Sequence, residues 1–276
     1  MRTKLLLILG FVLLHFIGCK NSNQSFSDKA KQAQCEKVVN ATQFAWKGYM
    51  QYAKGFDALK PISKQGENWY KNSLQMTPID AFDTFTLMGL KPEANEAKGL
   101  IFSNLNFDLD MEVQLFEINI RLLGGLLSAY ELDGDKRFLT LAEDLCKRLL
   151  PAFNTKTGMP YRYVNLKTGA LRDSLNNPAE IGTCLLEFCK LTQLTGDSTY
   201  YRTAKKAILA VYNRRSNIDL VGTIIDVNTG EWKKTECQIG ARLDSYFEYL
   251  YKNWLLTGDK ECFEAWETHR KAIAKY

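Results

Sequence analysis

Three carboxylates in this 276-residue chain stand where they could do acid–base chemistry. Glu117, Glu180 and Asp244 each precede a Gly-Asp pair by a similar span: Gly134-Asp135, Gly196-Asp197 and Gly258-Asp259. Arg121 lies four residues after Glu117, and Arg242 two before Asp244. Carboxyl groups brought together from separate elements can share a hydrolysis, one giving a proton and another taking one from water. Arginines beside them can hold carboxylates or the hydroxyl groups of a ligand. One such acid at a helix start is most simply a charge that stabilises the helix N-terminus. Three at equivalent places, two with arginine neighbours, point instead to a site.

Histidine usage removes other chemistries. The two histidines are His15 and His269. His15 lies in an apolar leader, and His269 in an amphipathic run near the end of the chain. A His-based zinc site lacks ligands, and a Ser-His-Asp or Cys-His apparatus would have to be built on His269. No Walker loop or GxGxxG stands between a strand and a helix.

The elements that must position these acids come from a repeat. The Gly-Asp pairs recur at a step of 62 residues, from Asp135 to Asp197 to Asp259. Glycine there suits a helix C-terminus, and aspartate an N-cap for the next helix. Leu115 to Asp135 reads as one helix of about five turns, with Phe116, Ile120, Leu123, Leu127 and Tyr130 as its buried stripe. Gly124 and Gly125 inside it each cost about 1 kcal/mol relative to Ala, so something must pack very close. Amphipathic helices follow each pair, at Arg137 to Leu149, Tyr200 to Tyr212 and Cys262 to Ala274. Thr168-Gly169 and Thr229-Gly230 mark turns in loops with strand-like alternation. A more divergent copy lies in IDAFDTFTLMGLKPEANEAKGL, with Gly89-Leu90 in place of Gly-Asp. Each unit is thus a nearly all-apolar helix, a tight turn, an amphipathic helix and a long loop. Apolar inner helices and half-exposed outer ones suit a double ring, an α/α toroid of which four hairpins are present; an open α-solenoid is the alternative.

Composition is that of a globular chain, with 46% hydrophobic and 24% charged residues. The net charge of +5, without a dense Lys/Arg run, argues against a nucleic-acid partner. Arg2 and Lys4 precede the apolar stretch Leu5 to Ile17, which is short for a bilayer span. It ends Phe16-Ile17-Gly18-Cys19, similar to a bacterial lipoprotein box with Cys19 as the lipidated residue; a plain signal anchor is the alternative. The expected organisation is a signal peptide over 1–18, a tether over 19–38 and the main domain over 39–276. The protein is then exported and membrane-anchored, at the periplasmic or outer cell surface. Of the seven cysteines, Cys146, Cys184 and Cys189 sit in helical patterns and read as small buried hydrophobes rather than disulfide partners.

The segment FEINIRLLGGLLSAYELDGD resembles the most diagnostic stretch of glycoside hydrolase family 47, the class I α-1,2-mannosidases. WKGYMQYAKGFDALKPIS at Trp46 to Ser63 and TPIDAFDTFTLMGL at Thr77 to Leu90 resemble its opening blocks. LLPAFNTKTGMPYRYVNLKTG at Leu149 to Gly169, AEIGTCLLEFCKLTQLTGD at Ala179 to Asp197 and GARLDSYFEYLYKNWLLTGD at Gly240 to Asp259 follow in the family's order. The resemblance runs from about Phe44 to the C-terminus. It implies an all-α fold, here a partial (α/α)7 barrel of about four helical hairpins with short β-hairpins in the loops. It also implies inverting, calcium-dependent hydrolysis of α-1,2-linked mannose from glycans. Glu117 matches the acid of the FE-x-x-x-R motif and Arg121 its arginine. Asp244 matches the aspartate of GAR-x-DSYYEYL, with Arg242 beside it, and Glu180 matches the AE glutamate. Glu117 and Asp244 are then catalytic, and Arg121, Glu180 and Arg242 bind substrate. Trp46, Tyr49, Trp69, Tyr161, Trp232 and Tyr246 could stack on sugar rings. Inversion needs two carboxyls roughly 6.5–9.5 Å apart, with a water between.

Phe44 and Ala58 depart from the family's usual His and Glu. The chain matches about half of a family barrel; a third catalytic carboxylate and the threonine that ligates calcium belong to the other half. Three readings follow: part of a lipid-anchored mannosidase, a non-catalytic mannose-glycan-binding surface protein, or one half of a split enzyme completed by a second polypeptide. The inner helix at Asp244 is expected to leave apolar surface open on its far side, favouring association.

Overall fold

The structure, a computed structural model, describes residues 27–276. The leader, Cys19 and the first part of the expected tether lie outside the described residues. From Asp28 onward the rest of the expected tether is helical, within α1 (Asp28–Tyr52). The chain divides after Ala45. In its described part the first unit is the early length of α1, and the second, Trp46–Tyr276, holds the site. No helix among the described residues is long and apolar enough to cross a membrane.

The second unit opens with the end of α1 and a hairpin, β1 (Ala58–Lys60) with β2 (Gln65–Glu67). Four helical hairpins follow. The first is α2 (Met76–Leu87) with α3 (Lys91–Asn104). The second has a composite inner helix: α4 (Leu115–Ile118), a π-helical turn over Asn119–Leu123, and α5 (Gly124–Asp133); its outer helix is α6 (Lys136–Leu149). In the third, α7 (Pro178–Gly182) and α8 (Leu185–Thr195) form the inner rod, broken at Thr183-Cys184, and α9 (Thr199–Tyr212) the outer one. The fourth is α10 (Asp244–Thr257) with α11 (Lys260–Lys275). The inner helices α2, α5, α8 and α10 pack on one another in sequence, and each outer helix packs on its own partner. This is an arc of an α/α barrel.

Sequence chemistry explains the corners. Gly89, Gly134, Gly196 and Gly258 all take left-handed φ between 72° and 81°, which costs an L side chain energy. The Asp135 carboxylate accepts from Arg137 N at 3.0 Å, and Asp259 from Glu261 N and Cys262 N. Asp197 accepts from Thr199 N at 2.8 Å, although the helix itself begins one residue later than in the other two repeats. Outer helices are half buried: α6 seals Phe138, Ala142, Leu145, Cys146 and Leu149 and exposes its charges. The close packing expected at the glycine pair is real at one of the two. A Cβ on Gly125 would stand 2.6 Å from Ile79 Cγ2 and 3.3 Å from the Ile79 carbonyl oxygen, whereas Gly124 has ordinary room.

The stripe of this inner helix differs from the expected one. Leu123 and Leu127 are buried, but Phe116, Ile120 and Tyr130 are only partly so, and Leu115, Ile118, Leu122, Leu126 and Ala129 carry the core. These five recur at steps of three and four, so one stripe does run through the helix and the π turn, displaced by about one residue from the expected one.

Loops between hairpins form two small sheets. β3 (Glu112–Gln114), β4 (Tyr163–Asn165) and β5 (Leu171–Arg172) make one; β6 (Leu175–Asn176), β7 (Ile224–Asp226) and β8 (Trp232–Lys234) the other. Gly169 and Gly230 turn two of these hairpins with positive φ. Cys146, Cys184, Cys189 and Cys262 are buried free thiols, in keeping with their reading as small hydrophobes.

His269 is a core residue, not a catalytic one. It is fully buried, accepts from the Tyr246 hydroxyl at 2.9 Å through Nε2, and donates from Nδ1 to the Asp219 carbonyl at 2.7 Å. The carbonyl can only accept, which fixes this tautomer. Burial, above all, lowers its pKa from 6.5 to about 4. Between those two values the unfolded chain takes up a proton that the folded one refuses. Stability from this group is therefore whole above pH 6.5 and is lost as pH falls toward 4, by up to about 3 kcal/mol. Thermal melts against pH will show that decline, and His269→Asn will flatten it while lowering stability throughout. An unchanged acid slope in the variant would contradict this assignment.

Candidate active site

The three sequence-predicted acids stand at the starts of three consecutive inner rods. Glu117 and Glu180 are the third residues of α4 and α7, and Asp244 is the first of α10. All three thus lie at the same end of the arc, where helix dipoles favour negative charge.

Backbone links hold these starts in register. β3 pairs with β4, and Leu115 N, opening α4, donates to the Arg162 carbonyl at 2.9 Å just before β4. Ala179 N, opening α7, donates to the Arg242 carbonyl at 2.8 Å just before α10. The Asn177 side chain caps α7 by accepting from Glu180 N at 3.0 Å.

Side chains form a second link, one that the sequence reading missed. A polar seam joins the three rods just after the acids. Asn119, in the π turn and fully buried, donates from Nδ2 to the Thr183 carbonyl at 2.7 Å, at the break between α7 and α8. The Thr183 hydroxyl donates to Ser245 Oγ at 2.7 Å on α10. Irregular backbone in two rods is thus stitched by polar groups, as buried amides and carbonyls require. Each seam residue follows one of the acids by one to three positions.

Arg121 behaves as its spacing suggests. Its Nε donates to Glu117 Oε2 at 2.9 Å, and its Nη1 lies 3.4 Å from Asp80 Oδ2 on α2. The guanidinium also stands over the Trp69 ring, 5.0 Å from its centroid. Burial raises the Asp80 carboxyl above its usual range, with Arg121 pulling the other way.

Glu180 has a partner that the sequence reading did not name. It is Arg162, whose Nε and Nη2 donate to the two Glu180 oxygens at 2.8 and 3.0 Å, with Nη1 on Asp173 at 3.2 Å. This fork-on-carboxylate geometry fixes both position and orientation. Arg242 and Asp244 are both exposed, and Arg242 takes a left-handed φ of 78°. The Asp244 carboxylate accepts from Ser245 N at 2.9 Å.

Deeper in the arc, Glu187 on α8 accepts from the Tyr249 hydroxyl at 2.8 Å, while its other oxygen is sealed from solvent without a partner. Burial pushes its carboxyl up, toward the neutral form. The aromatic residues sort by burial: Trp46, Tyr49 and Tyr246 are core, whereas Trp69 is 45% exposed beside Arg121. A cleft of about 480 Å³ lies there, lined by Glu67, Asn68, Trp69, Tyr70, Gln114, Glu117 and Tyr163.

Calcium takes six to eight oxygen ligands. Among the described residues no three Asp, Glu, His or Cys side chains come together to hold a metal ion.

Known proteins carry the same pattern. The description "Glycosyl hydrolase family 47" matches residues 41–276. The mouse endoplasmic reticulum mannosyl-oligosaccharide 1,2-alpha-mannosidase is 41% identical over 242 residues, covering 86% of this chain and 36% of that protein. Alpha-mannosidase I MNS4 of Arabidopsis thaliana is 37% identical over 280 residues, 97% of this chain and 44% of its own length. Among solved structures, the alpha-1,2-mannosidase from Trichoderma reesei superposes with a TM-score of 0.80 at 28% identity, over 87% of this chain and 54% of that one. The chain therefore spans well under two thirds of the relatives it matches. With the family pattern matched across nearly all of the ring unit and the same arc of helices beneath it, this chain belongs to glycosyl hydrolase family 47.

Proposed function

We propose that this chain supplies the Glu117–Glu180–Asp244 end of an α/α barrel that removes α-1,2-linked mannose from mannosyl-oligosaccharides with inversion. Glu117 and Asp244 share the acid–base work on the glycosidic bond and the attacking water. Arg121, Glu180 and Arg242 orient the sugar. The observation that carries this reading is the placement of three acids at the starts of three successive inner helices, stitched together by the Asn119–Thr183–Ser245 seam. An acid held by one arginine and open to a cleft, as Glu117 is, suits proton transfer to a leaving group. Calcium remains part of the proposal for the whole barrel, with ligands from outside this chain's described residues.

Apolar surface supports a completing segment or partner. Leu87, Leu255 and Leu256 are 75%, 61% and 47% exposed. Leu87 and Leu256 line one groove together with Leu127 and Leu132, and Leu255 is the neighbour of Leu256 on α10. Export and a lipid anchor at Cys19 rest on the leader sequence alone and are proposed on that basis.

Offered α-1,2-, α-1,3- and α-1,6-linked mannobiose, the full-length protein is expected to release mannose from the 1,2 isomer at least roughly tenfold faster, a discrimination of about 1.4 kcal/mol. Equal release from all three would overturn the linkage assignment. Binding of the 1,2 isomer without any release would support the glycan-binding reading instead.

A further inference from the structure

The β1–β2 hairpin carries an apolar residue where a turn normally carries a polar one. Its tip runs Pro61-Ile62-Ser63-Lys64. Ile62 is 98% exposed, more than any other large hydrophobic side chain among the described residues. The turn is closed by Lys64 N, which donates to the Lys60 carbonyl at 2.8 Å. Lys64 takes a left-handed φ of 55°, and the Pro61 ring locks its own φ. Turns favour Gly, Asn, Asp and Ser for reasons of backbone shape and local hydrogen bonding, and isoleucine serves neither. The core does not use it either, since a side chain this open packs on almost nothing.

The hairpin is held firmly at its base. Asp57 is 1% exposed just before β1, and its carboxylate accepts from Leu74 N at 2.7 Å and Trp69 N at 3.1 Å. Phe56 lies across β2, so close that a Cβ on Gly66 would stand 2.3 Å from its ring. The Phe56 carbonyl takes the Tyr49 hydroxyl of α1 at 2.8 Å. The tip is therefore ordered before it meets any partner, which spares that cost on binding.

Positive charge surrounds the tip. Lys60 and Lys64 flank it and Lys54 precedes the hairpin, all three exposed. Lys64 Nζ stands 5.4 Å from the centroid of the Tyr52 ring, which places that partly open ring, at the end of α1, beside the tip. The acids of residues 47–71 do not cancel this charge. Asp57 is buried, and Glu67 is taken up by Lys60 at 2.8 Å. A protein interface needs a broad face, about 800 Å² on each partner, and a protruding turn is too small to supply it. A bilayer surface accepts this shape. The apolar residue enters the acyl boundary, lysines reach anionic headgroups on their flexible stems, and a tyrosine sits at the level between.

We propose that the β1–β2 tip is a membrane-docking element, with Ile62 entering an anionic lipid surface and Lys54, Lys60 and Lys64 meeting its phosphate groups. From the tip β2 runs about 10 Å to Glu67, which lines the cleft beside Glu117. Docking thus brings the acid end of the arc close to the lipid. The inference rests neither on the hydrolytic reading nor on a lipid at Cys19.

The test uses the protein without residues 1–19, which keeps every described element and has no acyl chain to mask a weaker contact. Sedimentation with phosphatidylcholine vesicles containing about a third phosphatidylglycerol should show binding at least roughly tenfold tighter than with phosphatidylcholine alone. That advantage should fade as salt rises from about 0.1 M to about 1 M. Ile62→Ser should weaken binding to the anionic vesicles roughly tenfold, and Ile62→Leu should retain it. Lys60→Gln combined with Lys64→Gln should weaken it roughly 10–25-fold, each cation at such a surface being worth about fivefold. Ile62→Ser should melt like the wild type, so its loss of binding is not a loss of fold. The proposal is overturned if the wild type binds both kinds of vesicle equally or neither, or if either variant binds the anionic vesicles like the wild type. Mannose release from a soluble 1,2-linked substrate, measured separately, decides the hydrolytic reading.

Discussion

Glu117→Gln in the full-length protein is expected to lower turnover of an α-1,2-mannoside by about 10²–10⁴-fold, the usual contribution of a positioned general acid or base. Binding should hardly change. Glutamine keeps an oxygen that can accept from Arg121 Nε, where the glutamate now accepts at 2.9 Å, so the arginine stays over Trp69 and against Asp80. The substitution removes the carboxyl that gives or takes the proton and keeps an acceptor for Arg121. Steady-state kinetics should therefore show kcat collapsing while KM, or the affinity for a non-cleaved analogue, stays within a few fold. Turnover near that of the wild type would remove Glu117 from the chemistry.

Arg162→Ala is expected to destabilise the folded state. Glu180 retains 14% exposure of its side chain, and Arg162 satisfies both of its oxygens and reaches Asp173 as well. Breaking a buried pair costs about 3–5 kcal/mol because the remaining charge is stranded. Arg162 keeps 29% exposure, so solvent screens part of this and on the order of 2 kcal/mol is expected. For a domain of this size that is a fall of roughly 4–8 °C in melting temperature. Pairing the change with Glu180→Gln removes the stranded charge and should recover part of the stability. Arg162→Lys keeps a positive charge but not the two-pronged geometry, and should fall between. A melting temperature within about 1 °C of wild type for Arg162→Ala would show that the fork holds nothing in place.

Much of the arc was legible because its markers are local. A glycine that must be left-handed followed by an aspartate that can cap gives both a helix end and a helix start, and three copies give a repeat. The amphipathic outer helices read cleanly because one face meets water. The inner helix at Leu115 to Asp133 did not, since a rod covered on two sides has apolar residues at many spacings. Nothing in a 3.6-residue count announces the π turn.

The site divides along the same line. Glu117 and Arg121 were legible as a pair because four residues bring them to one helix face. Arg162 lies in a loop before β4, 18 residues from Glu180, with its N on the Asp173 carbonyl, so sequence distance hid it; its place between Tyr161 and Tyr163 in the alternating loop was the available signal. Asn119, Thr183 and Ser245 are small polar residues in apolar runs. Their matching places just after the three acids carried information once the repeat was aligned. The aromatic residues could not be sorted by type, because burial separates the core Trp46 from the open Trp69.

The most direct test of the central claim is the anomer of the first mannose released from α-1,2-mannobiose, followed by proton NMR before mutarotation. Acids that leave room for a water between them act by a single displacement. The full-length protein should therefore give β-mannose first, with the α anomer appearing only as the sugar equilibrates. Initial α-mannose would mean a double displacement and would contradict the roles given to Glu117 and Asp244.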